Sequence, residues 1–114
     1  MKRGEAWTAA SGPDYAGKPR PVLIVQDDVF AETDSITVCP LTTHMADADT
    51  FRPALVPSSA NGLRHPSYAM ADKITTVPRA KLGQRIGKIA DADMVRINRA
   101  MLVFLGLAGQ ARPR

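Results

Sequence analysis

The chain has 114 residues, of which 45% are hydrophobic and 23% charged, and a formal net charge of +4. This length supports one domain spanning 1–114, and area scaling buries about two-thirds of the unfolded surface, enough for a modest core without disulfides. The composition excludes disordered and fibrous classes, and 5% aromatic residues leave little for a long base-stacking platform.

Met1 to Trp7 opens with charges but lacks the apolar stretch of a signal peptide. No window approaches the roughly 18 consecutive apolar residues of a membrane span. The one cysteine, Cys39, has no internal disulfide partner and suits a reducing compartment. A soluble cytoplasmic protein is expected, with no membrane partner and a mild basic bias toward polyanions or acidic proteins.

In chain order, Glu5 to Ala10 around Trp7 reads as a first strand. Val22-Leu23-Ile24-Val25, preceded by Pro19-Arg20-Pro21, is an unbroken aliphatic run that predicts a central strand. Gln26 to Ser35 is rich in Asp and turn formers, and Ile36-Thr37-Val38-Cys39, closed by Pro40, completes a hairpin. Ala54 to Val56 predicts a short strand, and Tyr68 to Val77 and Arg85 to Ile89 two more, separated by Pro78 and Gly83. From Asp91 the period changes: Met94, Ile97, Met101, Phe104 and Leu105 recur at three- and four-residue steps, with acids in the first turn and Gly106 near the stop. The fold class expected is α+β, mainly β: a small, strongly curved antiparallel sheet or open barrel with an amphipathic C-terminal helix.

The standard catalytic and metal motifs are absent. His44 and His65 fall in predicted loops with no spacing rule linking them, and with Cys39 they form no ligand pattern, so no metal and no cofactor are expected. Neither a phosphate-cradling glycine loop nor a G-x-S-x-G elbow occurs. The informative feature is the hairpin. Positions 20 and 42 are equidistant from 31, inside the predicted loop, so a symmetric antiparallel pairing sets Arg20 opposite Thr42 with Thr43 beside them. Prolines on both sides push Arg20 toward extended conformations and lower the entropy lost when it is held. A guanidinium fork beside two hydroxyls makes a phosphate site; an arginine solvated at a strand end, beside a Thr-Thr that begins a turn, fits the same spacing.

Three blocks, Lys2-Arg3-Gly4-Glu5-x-Trp7, then Gly17-Lys18-Pro19-Arg20-Pro21-Val22-Leu23-Ile24-Val25-Gln26-x-Asp28, then Val38-Cys39-Pro40-Leu41-Thr42-Thr43, resemble the opening half of the MazF/PemK family of toxin endoribonucleases. Asp72-Lys73-Ile74, Leu82-Gly83-x-x-Ile86-Gly87 and the closing helix resemble its second half, so the likeness spans nearly the whole chain in order. The resemblance implies a homodimeric toxin of a type II toxin–antitoxin module that cuts single-stranded RNA, often mRNA, without metal or cofactor. The family's catalytic arginine falls on Arg20 and its catalytic threonine on Thr42. The mechanism implied is attack of the ribose 2′-hydroxyl on the adjacent phosphate. Contacts to RNA are expected from Asp14, Tyr15, Lys18, Thr43, Asp72 and Lys73, the last two on a strand, and inhibition from an acidic antitoxin of the MazE/PemI kind. Tyr15 stands where glutamine is usual, and Pro19 is an extra residue in this loop.

Two other readings share these residues. A gyrase poison of the CcdB kind has the same fold and cleaves nothing, but its activity depends on a tryptophan near the C-terminal end of the helix, whereas the only tryptophan here is Trp7. A catalytically dead RNA-binding module would keep Arg20 and Thr42 as phosphate contacts.

Overall fold

Seven strands and one helix follow each other in the computed structural model, which describes residues 1–10, 18–44 and 51–109. The strands are β1 (Glu5–Ala9), β2 (Arg20–Ile24), β3 (Ser35–Thr42), β4 (Ala54–Leu55), β5 (Ser67–Ala69), β6 (Thr75–Pro78) and β7 (Leu82–Lys88), and the helix is α1 (Asp91–Phe104). They form a curled antiparallel sheet in the order β4-β5-β3-β2-β1-β7, with β6 also on β3.

The sheet is organised around β3. One edge of β3 pairs with β2. The other pairs with β6 from Ser35 to Val38 and with β5 at Leu41 and Thr42. Pro40 does not close the strand as its sequence suggests. It falls in the gap where the partner changes, a position that tolerates the missing N–H, and its carbonyl accepts the Met70 N–H at 2.9 Å. The chain therefore stays extended to Thr42.

Two further expectations are corrected. Tyr68 to Val77 is not one strand, because a 3-10 turn over Ala71–Lys73 separates β5 from β6 and buries Ala71. Gly83 does not separate strands either. It lies within β7, where a Cβ would come to 2.7 Å from the Thr8 hydroxyl, so the close approach of β7 to β1 requires glycine there.

Alternation along the strands divides the apolar residues between two clusters. Ala6, Leu23, Cys39, Leu41, Leu55 and Ala69 face α1 with Leu63 and Ile89, and Met94 and Ile97 of the helix close over them. Ala9, Val22, Ile24, Ile36, Val38 and Leu82 form the second cluster, against which Trp7 and Val77 pack. The helix buries Met94, Ile97 and Ala100, while Phe104 and Leu105, expected on its inner face, are 47% and 55% exposed. Neither belongs to the first cluster, although the Phe104 ring meets Phe51 at 5.5 Å. Gly106 then turns the chain at φ 73°, with Gly106 N–H bonded to Val103 and Leu107 N–H to Leu102, a Schellman stop.

The opening block is a clamp. Gly4, at φ 88°, lets the chain turn sharply into β1. The Arg3 guanidinium donates to the Val25 carbonyl at 3.0 Å and to Asn98 of the helix, tying β2 to α1. The Glu5 carboxylate accepts from Lys2 N–H at 2.8 Å, Trp7 Nε1 at 3.0 Å and Arg85 Nε at 3.0 Å. Gln26 braces the β2–β3 connection by donating to Phe30 O and accepting from Thr37 N–H.

Candidate active site

The register between β2 and β3 pairs Val22 with Pro40 and Leu23 with Cys39. Two residues further along each strand, Arg20 comes level with Thr42, as the symmetric hairpin requires. Neighbouring pairings continue the line: Ala9 stands opposite both Arg20 and Leu82, and Tyr68 opposite both Thr42 and Ala54. One transverse row therefore reads Leu82, Ala9, Arg20, Thr42, Tyr68, Ala54. Directly opposed residues share a face, and Leu82 and Ala9 belong to the second cluster, so Arg20 and Thr42 lie on the side of the sheet away from α1.

Arg20 is exposed and Thr42 half-buried. The Thr42 hydroxyl accepts the His44 N–H at 3.1 Å, a local turn that fixes its position and leaves its proton available to donate. Lys18 is exposed two residues before Arg20, and Thr43 is exposed one residue after Thr42. Asp14 and Tyr15 lie outside the described residues.

Asp72 and Lys73 are placed differently from expectation. They stand in the 3-10 turn, not on a strand, and that turn packs beside α1. Both carboxylate oxygens of Asp72 accept from Arg52, at 2.9 and 2.8 Å, and each side chain is 15% exposed. Those hydrogen bonds hold the Asp72 carboxyl below the usual carboxylate range, against a smaller opposing effect of burial. Lys73 is exposed.

A cleft of about 470 Å³ opens beside the row. The alternation that sends Arg20 and Thr42 to one face sends their neighbours Pro21 and Thr43 to its lining, with Thr8, Arg64, His65 and Gln84 around it. Its floor is braced by Asn61, which accepts from Ser58 and Leu63 N–H and donates to Val56 O. The cleft was missed in the sequence because its walls come from β1, β2, the end of β3, the 62–65 loop and β7, which only the fold brings together. Cys39 takes no part: burial, with the nearby Asp72 charge, pushes its thiol up to about 12. Among the described residues, no three His, Cys, Asp or Glu side chains converge. Chemically, the row offers a guanidinium fork and a hydroxyl donor, both suited to phosphate oxygens, and the cleft offers cations and an amide suited to base edges.

The fold is thus a curled antiparallel sheet with one C-terminal helix, carrying an arginine and a threonine at the open end of its central pair. Residues 2–105 match the family described as PemK-like, MazF-like toxin of type II toxin-antitoxin system, and the chain belongs to this family of endoribonuclease toxins. It is 54% identical over 109 residues, 96% of this chain and all of the relative, to a probable endoribonuclease MazF of Mycolicibacterium smegmatis. It is 28% identical over 116 residues, covering 94% of this chain and 98% of the relative, to endoribonuclease MazF9 of Mycobacterium tuberculosis. Among solved structures, a mycobacterial endoribonuclease in complex with its cognate antitoxin superposes with a TM-score of 0.81 at 29% identity, over 96% of this chain and 99% of that one. The MazE-MazF structure from Deinococcus radiodurans, at 16% identity, TM-score 0.75 and coverage of 95% and 97%, shares the fold.

Proposed function

We propose that this endoribonuclease toxin cuts single-stranded RNA without a metal ion. The ribose 2′-oxygen attacks the adjacent phosphorus, the bond to the next nucleotide's 5′-oxygen breaks, and the products carry a 2′,3′-cyclic phosphate and a 5′-hydroxyl. The proton lost by the 2′-hydroxyl is balanced by the one the leaving 5′-oxygen takes up. Negative charge accumulates on the non-bridging oxygens of the crowded phosphorane, and preorganised donors aimed at it lower the barrier. Arg20 supplies the fork and Thr42 the hydroxyl that orients the phosphate. The observation that carries this reading is the β2–β3 register, which, continued two residues along each strand, brings Arg20 level with Thr42. Lys18, Thr43 and Lys73 would supply further phosphate contacts, and Asp14 and Tyr15 would border the bases.

The same reading gives the toxin a cytoplasmic setting, an acidic antitoxin and a second copy of itself as partners. The antitoxin is supported by the net charge of +4 and by the antitoxin-bound mycobacterial relative. Dimerisation is supported by the apolar group Leu102, Val103, Phe104, Leu105 and Leu107, each at least 42% exposed near the end of α1.

The test is incubation of purified protein with a long RNA in excess EDTA, followed by sequencing and end-chemistry of the fragments. Discrete cuts with cyclic-phosphate and 5′-hydroxyl ends are expected. Intact RNA, or cutting only when Mg²⁺ is restored, overturns the mechanism; intact RNA is also what a gyrase poison or a dead binding module would give.

A further inference from the structure

We infer that Tyr68 is the base-stacking residue next to the scissile phosphate, a role that rests on the proposed RNA cleavage at Arg20 and Thr42. The observation is the sheet register: Tyr68 is the direct cross-strand partner of Thr42, and opposed side chains on adjacent strands stand roughly 4.5–5.5 Å apart at Cβ on the same face. The flanking residues of β5 fix that orientation. Ser67 and Ala69 are buried, Ala69 in the α1-facing cluster, so alternation turns Tyr68 to the opposite side, where Arg20 and Thr42 lie.

The ring is half-buried. Among the described residues its hydroxyl has no hydrogen-bond partner, and its ring stacks on no other aromatic. A half-buried tyrosine whose strand is paired on both edges, one strand from a phosphate site, suits an unpaired base. Single-stranded RNA recognition commonly splays a base onto such a ring. Ala54, the partner of Tyr68 on the other side, is small and exposed, leaving room for the base to lie over the ring. With Arg20, Thr42 and Tyr68 in one row, the RNA backbone crosses the sheet end while the nucleoside flanking the cut is clamped flat, and this fixes the line of 2′-oxygen attack.

The experiment compares Tyr68→Phe, Tyr68→Leu and Tyr68→Ala with the parent protein on one cleavable RNA in EDTA, measuring kcat and KM separately. Stacking predicts that Phe stays within about twofold of the parent, whereas Leu and Ala lose roughly 5- to 150-fold in kcat/KM, the range of one base–aromatic stack. Leu fills the same sheet position, so a packing role would leave it close to Phe. The same variants on a Thr42→Ala background, which cuts about 10²–10³-fold more slowly, should show matching losses in RNA affinity. Equal activity of Phe and Leu, or a Phe variant as impaired as Ala, overturns the stacking role while leaving the cleavage reading standing. Failure of the parent protein to cut RNA overturns both.

Discussion

Arg52 holds both oxygens of Asp72 in a fork, and the pair ties the segment just before β4 to the turn beside α1. Phe51, the preceding residue, accepts the Ala71 N–H through its carbonyl and meets Phe104 through its ring, so one short stretch joins three parts of the chain. This arrangement gives Asp72 a structural role. Asp72→Asn should lower stability by about 1–3 kcal/mol, the usual loss for hydrogen bonds to a charged partner, and leave kcat on RNA within a few-fold of the parent. Thermal unfolding and a cleavage assay read the two effects separately; a normal melting temperature with lost activity would instead assign Asp72 to the substrate.

Arg20 and Thr42 should behave in the opposite way. Both stand at strand ends, where truncation opens no core cavity, so Arg20→Ala and Thr42→Ala should melt like the parent. Loss of one preorganised donor costs about 10²–10³ in kcat. Arg20→Lys should rescue little, because an ammonium cannot engage two phosphate oxygens in the geometry of a fork, whereas Thr42→Ser should keep most of the rate. Rates near the parent's in either alanine variant would remove the proposed centre.

Acid should unfold the protein partly through Glu5. Burial opposes its charge, but the bonds from Lys2, Trp7 and Arg85, with the nearby amino terminus, outweigh it and bring the carboxyl from 4.5 down to about 2. A group depressed on folding contributes its full stability above the unfolded value, and that contribution is lost as pH falls from about 4.5 toward 2. Glu5→Gln should therefore be less stable than the parent at pH 7, with a difference that narrows across this interval. Denaturant melts at pH 7, 4 and 3 would measure the convergence; a constant gap would show that the charge is not what Glu5 contributes.

Gly87 should tolerate no side chain. A Cβ there would sit 2.5 Å from the Ala60 carbonyl oxygen and the Asn61 backbone, which forces β7 away from the loop bracing the cleft. Gly87→Ala should cost about 1–3 kcal/mol, typical of overpacking, and weaken RNA binding as the Arg64 and His65 wall shifts. Melting and affinity should fall together, and an alanine variant as stable as the parent would contradict the close approach.

Much of this was legible in the chain because local signals and tertiary demands agree there. The β2–β3 hairpin and its register follow from two apolar runs around a polar loop, and α1 from its period and acidic first turn. Pro40 misled because a proline signals a strand end only when both edges need its N–H, and β3 changes partner at that residue. Tyr68 to Val77 misled because the burial of Ala71 beside α1 overrides the extended preference of its neighbours. Phe104 and Leu105 have helical spacing, but spacing cannot say where the sheet beneath a helix stops. The cleft and the row joining Arg20 to Tyr68 are products of strand order, which no local pattern encodes.

The setting of Cys39 bears on how the protein withstands oxidative stress. Cys39 is buried between the sheet and α1, and burial pushes its thiol up to about 12, so little of it is thiolate at neutral pH. It is the sole cysteine in the chain. Peroxide or glutathione disulfide reacts with thiolates, so neither should silence the folded toxin through its sulfhydryl.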